Sequence, residues 1–252
     1  MKQRLFNGLF ISMLFANISL ADDISATINW SQRVDMSTPV SGVVDTVSAN
    51  VGSKVNKNDV LLRLQTARFE AALTSATANK KDAQYKLKEA EREWDRAQEL
   101  YDRTVLSDRD LQLAENSLIA AKAAYVTASA NYITAKQDLE DSVIRAPFDA
   151  VVLKRHVQPG QTIVTRMHAE PLVTIAATEH YHANGAVPVV TANKLTSGQA
   201  VSVTVSGEKF VGTLISVGYE PIKNTETYSV VVRFTSGGEI LRVGQAATIN
   251  LP

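Results

Sequence analysis

Few side chains in this 252-residue chain are of a type and spacing that could do chemistry. His180-Tyr181-His182 places two imidazoles two residues apart, with Met167-His168 a little upstream. On an extended segment residues i and i+2 face the same side, so the pair suggests a metal site. No carboxylate or thiolate completes the set, and the segment reads as a solvated loop between strands; no metal is assigned. The chain has no cysteine. That removes thiol catalysis, thiolate metal sites, disulfides and a lipidated N-terminal cysteine. No phosphate-binding loop, nucleophile–base pair or paired carboxylate stands in a matching context. The sequence therefore predicts neither an enzyme nor a cofactor. Lysine plus arginine equals aspartate plus glutamate, 26 each, which offers nothing to nucleic acid.

The strongest pattern is structural. Phe69, Leu73, Ala76, Lys80, Ala83, Leu87, Ala90, Trp94, Ala97 and Tyr101 follow one another in steps of four and three, with only Lys80 out of character. The steps resume at Leu111, Ala114, Leu118, Ala121, Tyr125, Ala128, Tyr132, Ala135 and Leu139. These are two heptad seams, each on a helix of about 50–55 Å at roughly 1.5 Å per residue. The break at Thr104–Asp108 allows only a tight reversal, so the helices form an antiparallel hairpin. Bulky and small seam residues alternate, which lets the axes approach closely. The other faces are mainly polar and the apolar stripe is narrow, as in a projecting coiled coil rather than a bundle.

Around the hairpin the chain reads as strands. Met1–Ala21 has a leader's layout: Lys2 and Arg4, an apolar Leu9–Ala16, and Ser19-Leu20-Ala21 as a small-x-small cleavage site. The expectation is a mature protein beginning at Asp22, with retention of the segment as an anchor as the alternative. Ile24–Trp30 alternates weakly and suits a single strand. Short Val-rich strands broken by glycine fill Thr38–Leu64 and Ala146–Ile163. A shift of 108 positions lays Pro39 on Pro147, Val43-Val44 on Val151-Val152, Gly52 on Gly160 and Val55 on Ile163. Two such halves make one small β-sandwich with the hairpin inserted between them. Beyond Pro171 the β-rich runs are Leu172–Ala176, Ala186–Val190, Ala200–Val205, Val211–Val217, Tyr228–Phe234 and Ala246–Leu251, with a helical turn expected within Thr191–Ser197.

Val51-Gly-x-x-Val-x-x-x-Asp-Val-Leu-x-x-Leu64 paired with Ile144-Arg-Ala-Pro-Phe-Asp149 resembles the split lipoyl domain of periplasmic adaptor (membrane fusion) proteins. Leu241-Arg-Val-Gly-Gln245 resembles the segment before their last barrel strand. Ala150 departs from the family's usual glycine, which predicts a slightly altered turn. The resemblance implies an α+β chain: a split lipoyl-like β-sandwich with an inserted coiled-coil hairpin, then a β-barrel. The expected boundaries are 1–21 leader, 33–66 and 142–176 lipoyl halves, 67–141 hairpin and 177–252 barrel, with 22–32 adding a strand. With those boundaries the expectation is a chain lacking the membrane-proximal domain of larger adaptors.

A true lipoyl carrier needs a lysine at a hairpin tip. Lys54 and Lys57 sit in glycine/asparagine turns without the neighbours of a carrier lysine, which argues against covalent carriage. The resemblance also assigns the tip. Arg96, Leu100 and Ser107, spaced Arg-x3-Leu-x6-Ser, are similar to the motif by which pump adaptors dock on an outer-membrane channel. Arg96 and Leu100 lie four apart, a quarter turn or more off the seam at 100° per residue, which leaves Leu100 without a partner in its own hairpin. Ser107-x-x-Asp110 is equally a helix N-terminus. The implied function is an adaptor in the periplasm, associated with the inner membrane of a Gram-negative bacterium. It would link an inner-membrane transporter to an outer-membrane channel, as a hexamer. A resistance-nodulation-division pump is favoured over an ATP-driven exporter or type I secretion system. The rival is an exported coiled-coil structural or binding module with no transporter.

Overall fold

The computed structural model describes residues 23–165 and 170–251. The leader assigned to 1–21 and the Met167-His168 pair lie outside the described residues. In chain order the elements are β1 (Asp23–Trp30), β2 (Arg33–Met36), β3 (Gly42–Val47), β4 (Lys54–Val55), β5 (Val60–Leu64), α1 (Ala67–Asp102), α2 (Asp108–Asp141) and β6 (Val143–Arg145). There follow β7 (Ala150–Arg155), β8 (Thr162–Ile163), β9 (Val173–Ala177), β10 (His180–Pro188), α3 (Val189–Ala192), β11 (Ala200–Val205), β12 (Glu208–Pro221), β13 (Thr227–Thr235) and β14 (Ala246–Asn250). The described residues fall into two compact units, one spanning 30–179 and a second made of 23–29 with 180–251.

In the first unit, two four-stranded sheets run β2-β9-β7-β4 and β6-β5-β3-β8. Each sheet takes two strands from either side of the hairpin. The 108-residue shift is literal in the backbone. Gly52 N–H donates to Val152 O at 2.8 Å, and its counterpart Gly160 N–H donates to Val44 O at 2.8 Å. Both glycines carry a positive φ, 84° and 85°, where a Cβ would be strained. The pairings obey the same shift: Lys54 faces Val151, and Val43 faces Thr162. Ala150 pairs with Val55 and Ala177 as an ordinary strand residue with no left-handed φ, so no altered turn is needed. The core between the sheets holds Val44, Leu61, Leu62, Leu64, Val152, Leu172 and Ile175.

The hairpin belongs to this unit. The 36 residues of α1 span about 54 Å. Every heptad position from Phe69 to Ala97 and from Leu111 to Leu139 is buried or half-buried. Ala76, Ala83, Ala90 and Ala97 are the buried line of α1, seven apart. Lys80, the odd member of the seam, sets its ammonium 4.5 Å from the centre of the Tyr132 ring. It spans the two helices as a cation–π contact of about 0.5–1 kcal/mol.

The second unit is a closed barrel, β1-β10-β13-β12-β11-β14. Ile24, Ala26 and Ile28 of β1 point inward in strict alternation. β1 closes the barrel against β14, with Ala26 opposite Ala247. Two expectations are corrected here. Ala186–Val190 is not all strand, because β10 ends at Pro188 and the helical turn begins at Val189, not Thr191. His180 and His182 are not in a loop. Tyr181 between them is fully buried, accepts a 3.1 Å hydrogen bond from Leu241 N–H and packs beside Phe234, which draws its neighbours into β10.

Candidate functional site: the hairpin tip

The reversal between the helices is built from backbone chemistry. α1 ends in a Schellman motif: Val105 N–H donates to Leu100 O at 2.9 Å, and Thr104 N–H donates to Tyr101 O at 2.8 Å. The residue that must turn left-handed is Thr104, with φ 58°, where glycine is the usual occupant. α2 opens on Ser107, whose Oγ accepts from Asp110 N–H at 3.2 Å and donates to Asp110 Oδ2 at 2.7 Å. Across the reversal the Tyr101 hydroxyl bonds to the Asp108 side chain. That bond and the carboxylate's charge hold the phenol above its ordinary 10.0.

The three sequence-assigned residues meet this frame differently. Arg96 is exposed and donates to Glu93 Oε1 at 2.7 Å, an i,i+3 pair that leaves other guanidinium donors outward. Ser107 is the helix cap, so its hydroxyl is already used within the turn. Leu100 corrects its expectation: it is half-buried rather than free, while Tyr101, assigned to the seam, is 38 % exposed. At this point the backbone reverses, with Val105 N–H bonded back to Leu100 O. Sequence reasoning missed Val105 itself, the most open apolar side chain of the tip at 71 % exposure. Its position three residues past the end of α1 was the available signal.

Other candidate chemistry is structural in its setting. Lys57 is tied by its own N–H to Asp149 Oδ1 at 2.7 Å, and Arg145 donates to Asn58 O at 3.0 Å. The Ile-Arg-Ala-Pro-Phe-Asp segment thus clamps the turn between β4 and β5. His180 contacts Thr235 Oγ1 at 3.0 Å through Nδ1. Burial, then the charges of Arg233 and His180, hold the His182 imidazole below its ordinary 6.5. Among the described residues no three side chains are grouped to hold a metal. His156, Thr174 and Asp35 form a chain in which Thr174 donates to Asp35 at 2.6 Å and His156 Nε2 lies 3.1 Å from the same hydroxyl. Thr174 is buried in β9, so the chain braces the sheet rather than serving as a nucleophile.

These two units, a split sandwich carrying a two-helix hairpin and a six-stranded closed barrel, define a class. The family model for the CzcB-like, barrel-sandwich hybrid domain matches residues 32–176. The chain therefore belongs to that family. A search of curated proteins found no match. Among solved structures the chain is similar to the membrane fusion protein Spr0693 from Streptococcus pneumoniae R6. The TM-score is 0.68 and the identity 19 %, over 91 % of this chain and 98 % of that one. It is also similar to a MacA-MexA chimera containing the Pseudomonas aeruginosa MexA α-hairpin domain, with TM-score 0.66 and 22 % identity over 90 % of this chain and 80 % of that one. For MacA from Actinobacillus actinomycetemcomitans the TM-score is 0.57 and the identity 19 %, over 92 % and 79 %. At these identities the likeness is one of fold. Among the described residues no helix is long and apolar enough to cross a membrane.

Proposed function

We propose that this chain is the periplasmic adaptor subunit of a tripartite efflux system, joining an inner-membrane transporter to an outer-membrane channel for export of small molecules. It acts by holding the conduit together and performs no catalysis. The tip docks on the channel through Arg96, Leu100 and Ser107, with Val105 beside them. The observation that carries this reading is that every hydrogen bond of the reversal stays within the hairpin while Val105 and the Arg96 guanidinium face outward. Such a surface is small, and contacts below about 1,200 Å² are weak. Several tips presented together, as in the hexamer the resemblance implies, would multiply weak contacts into stable attachment.

The test separates docking from folding. Arg96→Ala and Val105→Asp should each leave thermal unfolding near that of the parent, since both side chains are exposed and such changes fall within about 0.5 kcal/mol. Both should lose crosslinking to the outer-membrane channel, and export with it. Leu100→Asp should lose docking too, at a folding cost of roughly 1 kcal/mol because the side chain is half-buried. Export at the parental level in all three variants would remove the tip from the docking role.

A further inference from the structure

One mouth of the barrel holds a cavity that the adaptor role does not use. The chain leaves β10 at Pro188, forms α3 and crosses to β11, which begins at Ala200. On the way it passes the ends of β13 and β12, the two strands that lie between β10 and β11. The crossing is tied to β12 at one place. Gly198 N–H donates to Leu214 O at 2.8 Å, Leu214 N–H donates to Gln199 O at 2.9 Å, and Ser197 Oγ donates to Ile215 O at 3.0 Å. Beyond Ile215 the strand and the crossing part. β12 shifts register against β13 twice there, between Leu214 and Ser216 and between Val217 and Pro221, and such irregularities bend a strand. Gly218 lies so close to β13 that a Cβ would meet Ser229 Oγ at 2.6 Å. The gap left between crossing and strand is a cleft of about 380 Å³.

Its wall is aliphatic and aromatic, with a few polar groups at the rim. Val189, Leu195 and Val217 stand with the rings of Tyr219 and Tyr228, and Asn193 borders them. No charged side chain lines the cleft, although Lys194 and Glu220 are next in sequence to residues that do. Tyr219 is 99 % exposed, an aromatic ring with nothing packed on it. Among the described residues the Asn193 amide and the hydroxyls of Tyr219 and Tyr228 have no hydrogen-bond partner. An apolar wall, a few polar groups and a volume of some hundreds of cubic ångströms are what a small molecule needs, and barrel mouths are a common place for one.

We propose that the cleft between α3 and the 217–219 stretch of β12 binds an uncharged, flat aromatic small molecule. Tyrosine rings favour offset stacking on a second ring. An ion entering here would lose its water and meet no opposite charge, so the lining selects against anions and cations alike. The amide and the hydroxyls supply both donors and acceptors, which suits one or two polar atoms on the edge of the ligand. The site goes beyond the adaptor reading and does not depend on it, since the barrel alone forms it.

Phenylnaphthylamine, a neutral aromatic whose fluorescence rises in apolar surroundings, is the probe. Anilinonaphthalene sulfonate supplies nearly the same rings with a fixed negative charge. Titration of the purified full chain should show one saturable site for the neutral probe, and binding at least about tenfold weaker for the sulfonate. Ala192→Phe on α3 fills the cleft from within, and Asn193→Trp fills it from the rim. Each should weaken the neutral probe by about tenfold or more at an unchanged thermal midpoint. Asn193 is exposed, so its variant keeps the test open if Ala192→Phe unfolds the barrel. Val211→Ser removes an apolar side chain that is 83 % exposed but outside the cleft, and should leave binding at the parental level. The proposal is overturned by no saturable binding in the parent, by parental affinity in folded Asn193→Trp, by loss of the site in Val211→Ser, or by equal affinity for the sulfonate.

Discussion

The hairpin has two ends made in opposite ways. At its root Phe69 and Leu139 run into the sandwich core beside Leu61 and Leu64. Thr38 Oγ1 donates to Asp141 O at 2.9 Å, and Leu64 N–H donates to the O of fully buried Ser142 at 2.8 Å. These partners are distant in sequence. At the tip the backbone bonds reach no further than five residues, one turning residue is a threonine in a glycine's conformation, and Val105 stands in water. Stability is concentrated where the helices leave the sheets and thins toward the end. A docking surface has to be free to answer to a partner, so the difference places fold and function at opposite ends of one element.

Graded substitutions along the hairpin test that division. Phe69→Ala at the root should be the most damaging, costing about 3–5 kcal/mol, because a buried aromatic leaves a cavity in the sandwich. Chemical denaturation would show it, and a cost under about 1 kcal/mol would mean the root is not anchored. Halfway along, Leu87→Ala removes a half-buried seam residue; a loss of about 2 kcal/mol is expected, with the β-sheet signal melting later than the helical one. Thr104→Gly reverses the sign. It should stabilise by about 1 kcal/mol by relieving a left-handed β-branched residue, and a fall in midpoint would show that the turn is not strained. Tyr101→Phe should have the least effect, and a pH dependence identifies it. The folded phenol titrates above its unfolded value of 10.0. Its contribution is therefore complete below pH 10 and lost as pH rises past it. The parent and Tyr101→Phe should converge in alkali; a gap that persists there would assign the effect to packing.

What could be read in advance followed from periodicity. A seven-residue seam needs no knowledge of the partner, and Gly52 and Gly160 mark equivalent turns whatever lies between them. Residues whose role depends on distant company were opaque. The eight alternating residues of β1 announce a strand, but nothing in them names β14, more than two hundred positions away, as the partner. His180 and His182 looked like loop residues because the burial of Tyr181 against Phe234 is a tertiary fact. At the tip, spacing placed Arg96 near the end of α1 and Ser107 at the start of α2. It could not place Leu100, because the regular seam stops at a reversal whose backbone geometry, with a threonine where propensity expects glycine, spacing alone does not show.

The insertion of the hairpin between the lipoyl halves also bears on the order of events in folding. Strands such as β3 and β8, which pair Gly42 with Ile163, are more than a hundred residues apart. Closing a flexible loop of about 75 residues costs roughly 4 kcal/mol in chain entropy before any sheet contact repays it. Helices and their tight reversal form from neighbours in sequence and so form fast. Once zipped, α1 and α2 hold residues 66 and 142 side by side, and the loop to be closed shrinks from dozens of residues to a handful. On this hypothesis the projecting rod is also the chain's own splint. Leu87→Ala, far from any sheet, should then slow refolding of the β-sandwich, whereas Ile175→Val in the core should chiefly speed unfolding. Unchanged refolding in Leu87→Ala would mean the two halves find each other unaided.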